Sequence, residues 1–475
     1  MSLRNRLPDE QSLFPDPELG INLRKDDQDL MPGEAKLMQN CFFEAGTQTR
    51  PGTTRLTPAS LGAFAIRGGH KHYYGTTSSA RVVSYGTKVV TVNDAGAETI
   101  LTSGMTSNLD THFTSWSITD KLYTANGTDK LFEWNGTLWQ AVDVLGGAVA
   151  VPNGCKMVKP VLDRLLALTS AGLIERSNPR VAHIWSSNSA WATFRPQLGG
   201  PFTSIHPHSL RSVGGDVFSG AIATQANALY MITGTNYGSD VTAASASTGE
   251  DSSIKLLDSR IGTSSPYSLC TVPGVGVFGV SSDLNVWWLP FGEASPRIIG
   301  DKVRSKGSIP GLESANLASI GQIWMQYFDR KLWIGYPVGS DNFCSKYFWL
   351  DMRSFQEHPD RGPVWYGPHS GFSVNRCWVE SQFTDNRLIG GEGNSANGAF
   401  LYNLYQAGVT TDAVATVDNV IDFDFWTHFH DFNTPSHEKY LQALQLNTQC
   451  FTGTPAVALY DLTGQIATGL TLTAI

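Results

Sequence analysis

The densest set of groups able to hold a metal or move a proton lies late in the chain: His428-Phe-His430 with His437, Asp422, Asp424 and Asp431. Alternate residues of a strand share one face, so His428 and His430 can present two imidazoles to zinc or another divalent ion. No further ligand follows at a characteristic spacing, and a solvated strand edge accounts for the same residues. His206-Pro-His208 is a thinner version of the same pattern. Gly274-Val-Gly-Val-Phe-Gly279 satisfies GxGxxG. A dinucleotide site needs a helix directly afterwards, whose first amides hold the pyrophosphate, and here another aromatic strand follows. The glycines therefore read as a tightly packed strand. No GxSxG elbow, HExxH, phosphate-binding GxxxxGK loop or Cys/His nucleophile setting is present. No catalytic, cofactor-binding or metal-binding residue is assigned, and the chain is expected not to be an enzyme.

These residues sit on a repeated phrase: apolar strand, tight Asn/Asp/Gly turn, aromatic strand, turn. It is clearest at residues 121–142, where Asn126-Gly127 and Asn135-Gly136 separate runs of β-branched and aromatic residues. Asn-Gly supplies the positive-φ pair of a type I′ turn, so three antiparallel strands in a row are expected. Looser versions run over residues 63–101, 112–142, 157–194, 221–233, 275–289, 323–366 and 377–402. Such recurrence predicts an all-β fold, a β-propeller of six or seven blades. Residues 281–288, Ser-Ser-Asp-Leu-Asn-Val-Trp-Trp, partly resemble the Asp-box turn of sialidase propellers but depart from it at Asn285 and Trp287, and read as a hairpin turn.

Three regions are expected. Residues 1–57 form an extended N-terminal arm of Pro-Gly turns with no core of its own, residues 58–410 the propeller, and residues 411–475 a small C-terminal β unit. Residues 238–265, rich in Ala, Ser, Thr and Gly, read as a long surface loop.

Composition agrees. A hydrophobic share of 41% is ample for a core, and 13 Trp, 15 Tyr and 23 Phe with only 16% charged residues suit many short aromatic strands. No run approaches the ~20 apolar residues of a membrane span, so no stable membrane insertion is expected. The first ten residues lack the apolar segment of a secretory signal, and six scattered cysteines without CxxC spacing read as thiols of a chain folded in reducing cytoplasm. A net charge of −8 is wrong for a tight or sequence-reading DNA binder, which needs clustered Lys and Arg.

The arm carries a resemblance. Residues 20–24 (Gly-Ile-Asn-Leu-Arg), 31–35 (Met-Pro-Gly-Glu-Ala), Asn40, Gly46 and residues 50–53 (Arg-Pro-Gly-Thr) are similar to the opening of tailed-bacteriophage β-propeller proteins, the tail-nozzle or packaged-DNA-stabilisation proteins of short-tailed phages. The resemblance implies a homo-oligomeric ring, commonly a hexamer, at the distal end of a virion tail. Such a ring touches other tail proteins (adaptor or tube, fibres or spike), retains packaged genomic DNA and conducts it at ejection without sequence-specific binding. It brings no catalytic motif. It implies an assembly role for the arm, with Gly20, Asn22, Arg24, Pro32, Gly33, Asn40, Arg50, Pro51 and Gly52 as its contact residues. A propeller enzyme or a carbohydrate-binding, receptor-binding module is the alternative.

Overall fold

The computed structural model describes residues 16–26, 29–44, 47–161, 163–185, 193–211, 217–233, 253–305, 309–382, 385–427, 456–461 and 464–471. Seven four-stranded antiparallel sheets dominate it. The first is built from Ile66–Tyr74, Ser78–Tyr85, Lys88–Val92 and Glu98–Thr102, and the second from His112–Trp116, Lys121–Ala125, Phe132–Trp134 and Trp139–Ala141. The third uses Cys155–Val161, Arg164–Thr169, Ile174–Arg176 and Thr193–Phe194. The fourth uses Ser204–Arg211, Val217–Thr224, Leu229–Thr233 and Ser253–Asp258. The fifth comprises Leu269–Val272, Gly276–Val280, Val286–Pro290 and Arg297–Ile298, and the sixth Trp324–Phe328, Lys331–Tyr336, Lys346–Asp351 and Trp365–His369. The seventh takes Val374–Gln382, Asp385–Glu392 and Leu401–Gln406 from the end of this run and its outermost strand, Gly52–Arg55, from the N-terminal arm.

The first strand of each sheet touches the first strand of the next, and that of the seventh returns to the first. The sheets therefore stand radially around one axis as a closed seven-bladed propeller. Inner and middle strands lose the apolar/polar alternation of a half-exposed sheet because each blade is covered by two neighbours. Arg164–Thr169 and Gly276–Val280 are buried at every position.

The Asn-Gly turns differ in detail from the expected type I′ form. Only the glycine of each pair has positive φ, at 86° for Gly127 and 94° for Gly136. Asn126 Oδ1 accepts from the backbone amides of Thr128 and Asp129 (3.1 and 2.8 Å), and Asn135 Oδ1 from those of Thr137 and Leu138 (3.0 and 2.8 Å). The side chain thus mimics a backbone turn and lengthens the connection. The expected loop at 238–265 also changes: Ser253–Asp258 is the outer strand of the fourth blade.

The expected boundaries at 57/58 and 410/411 are corrected. Compactness divides the chain into Met1–Phe429 and His430–Ile475. The arm belongs to the first unit because it has apolar residues to bury. Ile21, Leu23, Ala35, Leu37, Met38, Cys41 and Phe42 join one apolar cluster with Trp333, Trp349 and Trp365 of the sixth blade. The Phe42 ring stands edge-on to Trp349, centroids 5.8 Å apart. Ala35–Gln39 pairs with Asp424–Thr427, and the hairpin of Thr411–Val414 and Val417–Val420 lies beside Gly52–Arg55. The described arm and the strands between Thr411 and Thr427 therefore lie on the propeller's own flank. The second unit contributes one described hairpin, Ala456–Asp461 with Gly464–Thr471.

Deleting residues 1–55 should therefore unfold or aggregate the protein, because it strips the outer strand from the seventh blade and exposes the Trp349–Trp365 surface. Size-exclusion chromatography and a circular-dichroism melt check this. A soluble truncation melting like the full chain would contradict it.

Candidate functional site

Two constructions carry the polar side chains that the fold takes most trouble to position: the clasp made by the arm, and the axis of the propeller.

The clasp begins at Gly20, whose φ of 68° and approach to the sixth blade leave no room for a side chain; a Cβ there would lie 2.4 Å from the Trp365 carbonyl oxygen. The next amide, of Ile21, donates to that same oxygen (2.9 Å). Glu34 is buried and collects Asn22 Nδ2 (3.1 Å), the Met31 amide (3.1 Å), Lys25 Nζ (3.1 Å) and Lys302 Nζ (3.2 Å). Burial acts to raise its carboxyl pKa, but those donors and charges outweigh it and hold the group below the usual carboxylate range. Asn40, at φ 54°, donates to the Asp422 carbonyl (2.7 Å) and accepts from Arg50 Nε (3.0 Å) and the Ser370 amide (2.8 Å). Arg50 is 2% exposed and forks onto Asp412, with Nη1 to Oδ1 at 2.9 Å and a second, shorter contact to Oδ2. Gly52 passes so close to Thr411 that a Cβ would meet its carbonyl oxygen at 2.1 Å.

The nine residues expected to form an assembly contact are thus mostly committed within the chain. Gly20, Asn22, Gly33, Asn40, Arg50 and Gly52 are buried and Pro51 is half-buried. Arg24 and Pro32 remain exposed, and Arg24 pairs across the surface with Asp301 (3.0 Å). A surface groove of about 470 Å³ runs along the clasp strand, flanked by Thr53, Arg55, Asp94 and Asp418, away from the axis.

On the axis, polar residues of the inner strands converge in two tiers. One lies toward the strands' N-terminal ends. There Arg376 Nη2 and Arg67 Nη1 reach Asp110 at 2.7 and 3.6 Å, Gln322 Nε2 donates to Asp110 (3.0 Å), and the Arg376 guanidinium sits 3.7 Å over the Tyr267 ring. The second holds His70, bonded through Nε2 to Ser115 Oγ (2.8 Å), His206, bonded through Nε2 to Thr271 Oγ1 (2.7 Å), and Lys159. Burial pushes His70 and His206 down to about 3, with the Lys159 charge adding to it. His112 is pushed well below its ordinary value by burial, then by Lys159, His70, Arg376 and His206. Burial lowers Lys159 to about 8, opposed by Cys270. Lys159 and His70 stand two blades apart, as do His112 and Arg376, and His112 and His206. Groups so placed act on one another across the axis.

No local signal in the sequence marks these axial residues: His206 stands out only within His206-Pro-His208, and His70, His112, Lys159, Arg67, Arg376 and Asp110 occur singly. Of the late cluster, His428, His430, Asp431 and His437 lie outside the described residues. The Asp422 carbonyl holds Asn40, and Asp424 pairs with Gln39 in the sheet that anchors the arm. Among the described residues no group of three or more His, Cys, Asp or Glu side chains is arranged to hold a metal. Gly276–Val280 is followed by a hairpin in which Ser281 Oγ donates to the Asn285 carbonyl (3.0 Å), as the strand reading of GxGxxG requires.

No family model matches the chain, and no curated protein matches it in sequence. Among solved structures it is similar to the WD40 β-propeller domain of Doa1, at 8% identity and TM-score 0.44, over 75% of this chain and 98% of that one. It is also similar to the computationally designed Ika8 protein, at 12% identity and TM-score 0.39, over 74% of this chain and 99% of that one.

Two outcomes are expected. Arg50→Ala strands a buried Asp412 and should cost roughly 3–5 kcal/mol, whereas Arg24→Ala breaks a solvent-screened pair and should cost under about 1 kcal/mol; denaturant titration of both variants measures the difference. The second concerns acid. His112 and His369 are buried with ring nitrogens lacking partners, and both have pKa values depressed by burial. A base with a depressed folded pKa contributes its full stability above its unfolded value near 6.5 and loses it as pH falls below that, at about 1.4 kcal/mol per pH unit per ring. The denaturation midpoint should hold from pH 7.5 to about pH 6.5 and then fall steadily to pH 5. A flat profile would show these rings to be solvated.

Proposed function

We propose that this chain is a structural, non-catalytic subunit of a phage tail. It would fold in the host cytoplasm and assemble into a homo-oligomeric nozzle or gate ring of the virion that retains packaged DNA and lets it pass. The observation that carries this reading is the mechanical closure of the propeller. An N-terminal strand completes the last blade, and buried ion pairs tie it down on two sides, Arg50–Asp412 in the clasp and Arg81–Glu380 between the first and seventh blades. A wall that must hold pressurised DNA benefits from a ring that cannot open at its seam. The arm residues that resemble the nozzle family are the ones that make this closure. The net charge of −8 supports passage over capture, since each phosphate pairing would add a barrier to sliding.

One observation favours the second reading, a propeller acting on or binding acidic sugars: Arg67, Arg376 and Tyr267 converge on the axis. Against it, Asp110 already holds both guanidinium groups, and among the described residues no second carboxylate pairs with them for acid–base work.

Electron microscopy of the purified protein, with duplex DNA binding measured across a salt series, tests the proposal. The expected result is closed rings with weak duplex affinity at physiological salt. Submicromolar affinity with a steep salt slope would replace the passive conduit by a DNA clamp, and turnover of sialosides abolished by Arg376→Ala would replace it by an enzyme.

A further inference from the structure

The chain contains four Asn-Gly pairs, at Asn126, Asn135, Asn153 and Asn397. Glycine after asparagine is the sequence most prone to lose the side-chain amide, because no Cβ keeps the glycine nitrogen from reaching the asparagine Cγ. The fold restrains three of the four. Asn126 is 7% exposed, its Nδ2 donates to Asp129 Oδ2 (2.6 Å), and the Gly127 amide donates to the Cys155 carbonyl (2.6 Å). Asn397 Nδ2 donates to Glu392 Oε2 (3.2 Å), and the Gly398 amide to the Ser395 carbonyl (3.2 Å). Asn153 is exposed, but the Gly154 amide donates to the Asp129 carbonyl (3.3 Å). A bonded amide must be released before it can attack, and a carboxylate that holds Nδ2 opposes its departure. Asn135 has neither restraint. It is exposed at the tip of the outer hairpin of the second blade, and among the described residues neither its Nδ2 nor the Gly136 amide has a partner.

We propose that Asn135 is a site of spontaneous covalent modification, its carboxamide passing through a succinimide to aspartate or isoaspartate. The Gly136 nitrogen, deprotonated by solvent base, forms a bond to Asn135 Cγ, and the negative charge moves to Oδ1. That oxygen already accepts from the backbone amides of Thr137 (3.0 Å) and Leu138 (2.8 Å), which are placed to stabilise it. The Cγ–Nδ2 bond then breaks, and the nitrogen takes up a proton and leaves as ammonia. Water opens the ring at either carbonyl, so the net reaction is amide plus water to carboxylate plus ammonium. Opening at the main-chain carbonyl reroutes the backbone through the side chain and lengthens it by one methylene. There is little space for that, since a Cβ on Gly136 would already meet the Tyr74 ring at 2.5 Å, and Tyr74 stands edge-on to Trp134 with centroids 5.5 Å apart. The change therefore falls on the contact between the first and second blades. This site does not depend on the tail reading.

Peptide mapping by mass spectrometry tests this on the full native chain, incubated in heavy-oxygen water at mildly alkaline pH and sampled over time, with a parallel sample unfolded in urea. Each conversion retains one heavy oxygen, and fragment ions assign it to one asparagine. In the native chain Asn135 should convert first, with Asn126 and Asn397 at least about tenfold slower, because a charge-assisted hydrogen bond must be broken in each. Asn153 should fall between them. In urea the four should convert at similar rates. Asn135→Gln should remove the main acidic form that native chains accumulate on ion exchange, and its persistence in that variant overturns the proposal. So does an Asn135 that stays intact in the native chain while converting in urea, or any of the other three converting as fast as Asn135 in the native chain. The same ranking in urea would make local sequence, not the fold, the cause, and overturns it too.

Discussion

Everything in this molecule depends on joining the seventh sheet to the first. An open row of sheets would leave two exposed faces and one unpaired edge, and each blade is stable only because both its faces are covered. Closure is reached here in three ways at once. Gly52–Arg55 pairs with Leu401–Gln406, so the last sheet contains both ends of the ring. Arg81 forks onto Glu380 across the joint, at 2.5 and 2.7 Å, while its Nη2 also reaches Asp94 at 2.9 Å. Outside the ring, the arm lies on the sixth blade and is itself paired to Asp424–Thr427. Desolvating an arginine is favourable only when its carboxylate is held in register. The paired strand supplies that register at the joint.

The same closure makes the axis. Seven inner strands brought into a circle force their side chains together, and here these are not the apolar residues that would fill the space most cheaply. Two guanidinium groups, one carboxylate, one ammonium and three imidazoles share the channel, with burial keeping the imidazoles uncharged. Apolar packing is delegated to the spaces between blades, where Trp333, Trp349 and Trp365 are almost wholly buried.

Blades were legible in the sequence because each is local. Residues 121–142 place three strands within one short stretch, and the aromatic runs of the sixth blade announce themselves in the same way. The fourth blade was half legible: Ser204–Arg211 is interrupted by Pro207 and falls outside the expected units, and Ser253–Asp258 lies within the polar stretch read as a loop. The arm's placement was not legible, since its partners stand far away in sequence: Asp412 for Arg50, Trp365 for Gly20, Asp422 for Asn40. Short, turn-broken segments look coreless until the surface they cover is known. The channel was hidden for a related reason. His70, Lys159 and His206 occur singly, each one blade or more from the next, and only a closed circle brings them together.

Pairing Gly52–Arg55 with Leu401–Gln406 also sets an order of events during synthesis. About 345 residues separate Arg55 from Leu401, so at roughly 5–20 residues per second the clasp strand waits tens of seconds for its partner to leave the ribosome. A strand made early is among the last to be placed. Until the sixth blade is made, the arm's own Ile21, Leu37 and Phe42 lack the surface that covers them. In that interval a second nascent chain can offer its arm to the wrong ring, so faithful folding of one subunit is a race between its own C-terminal third and its neighbours.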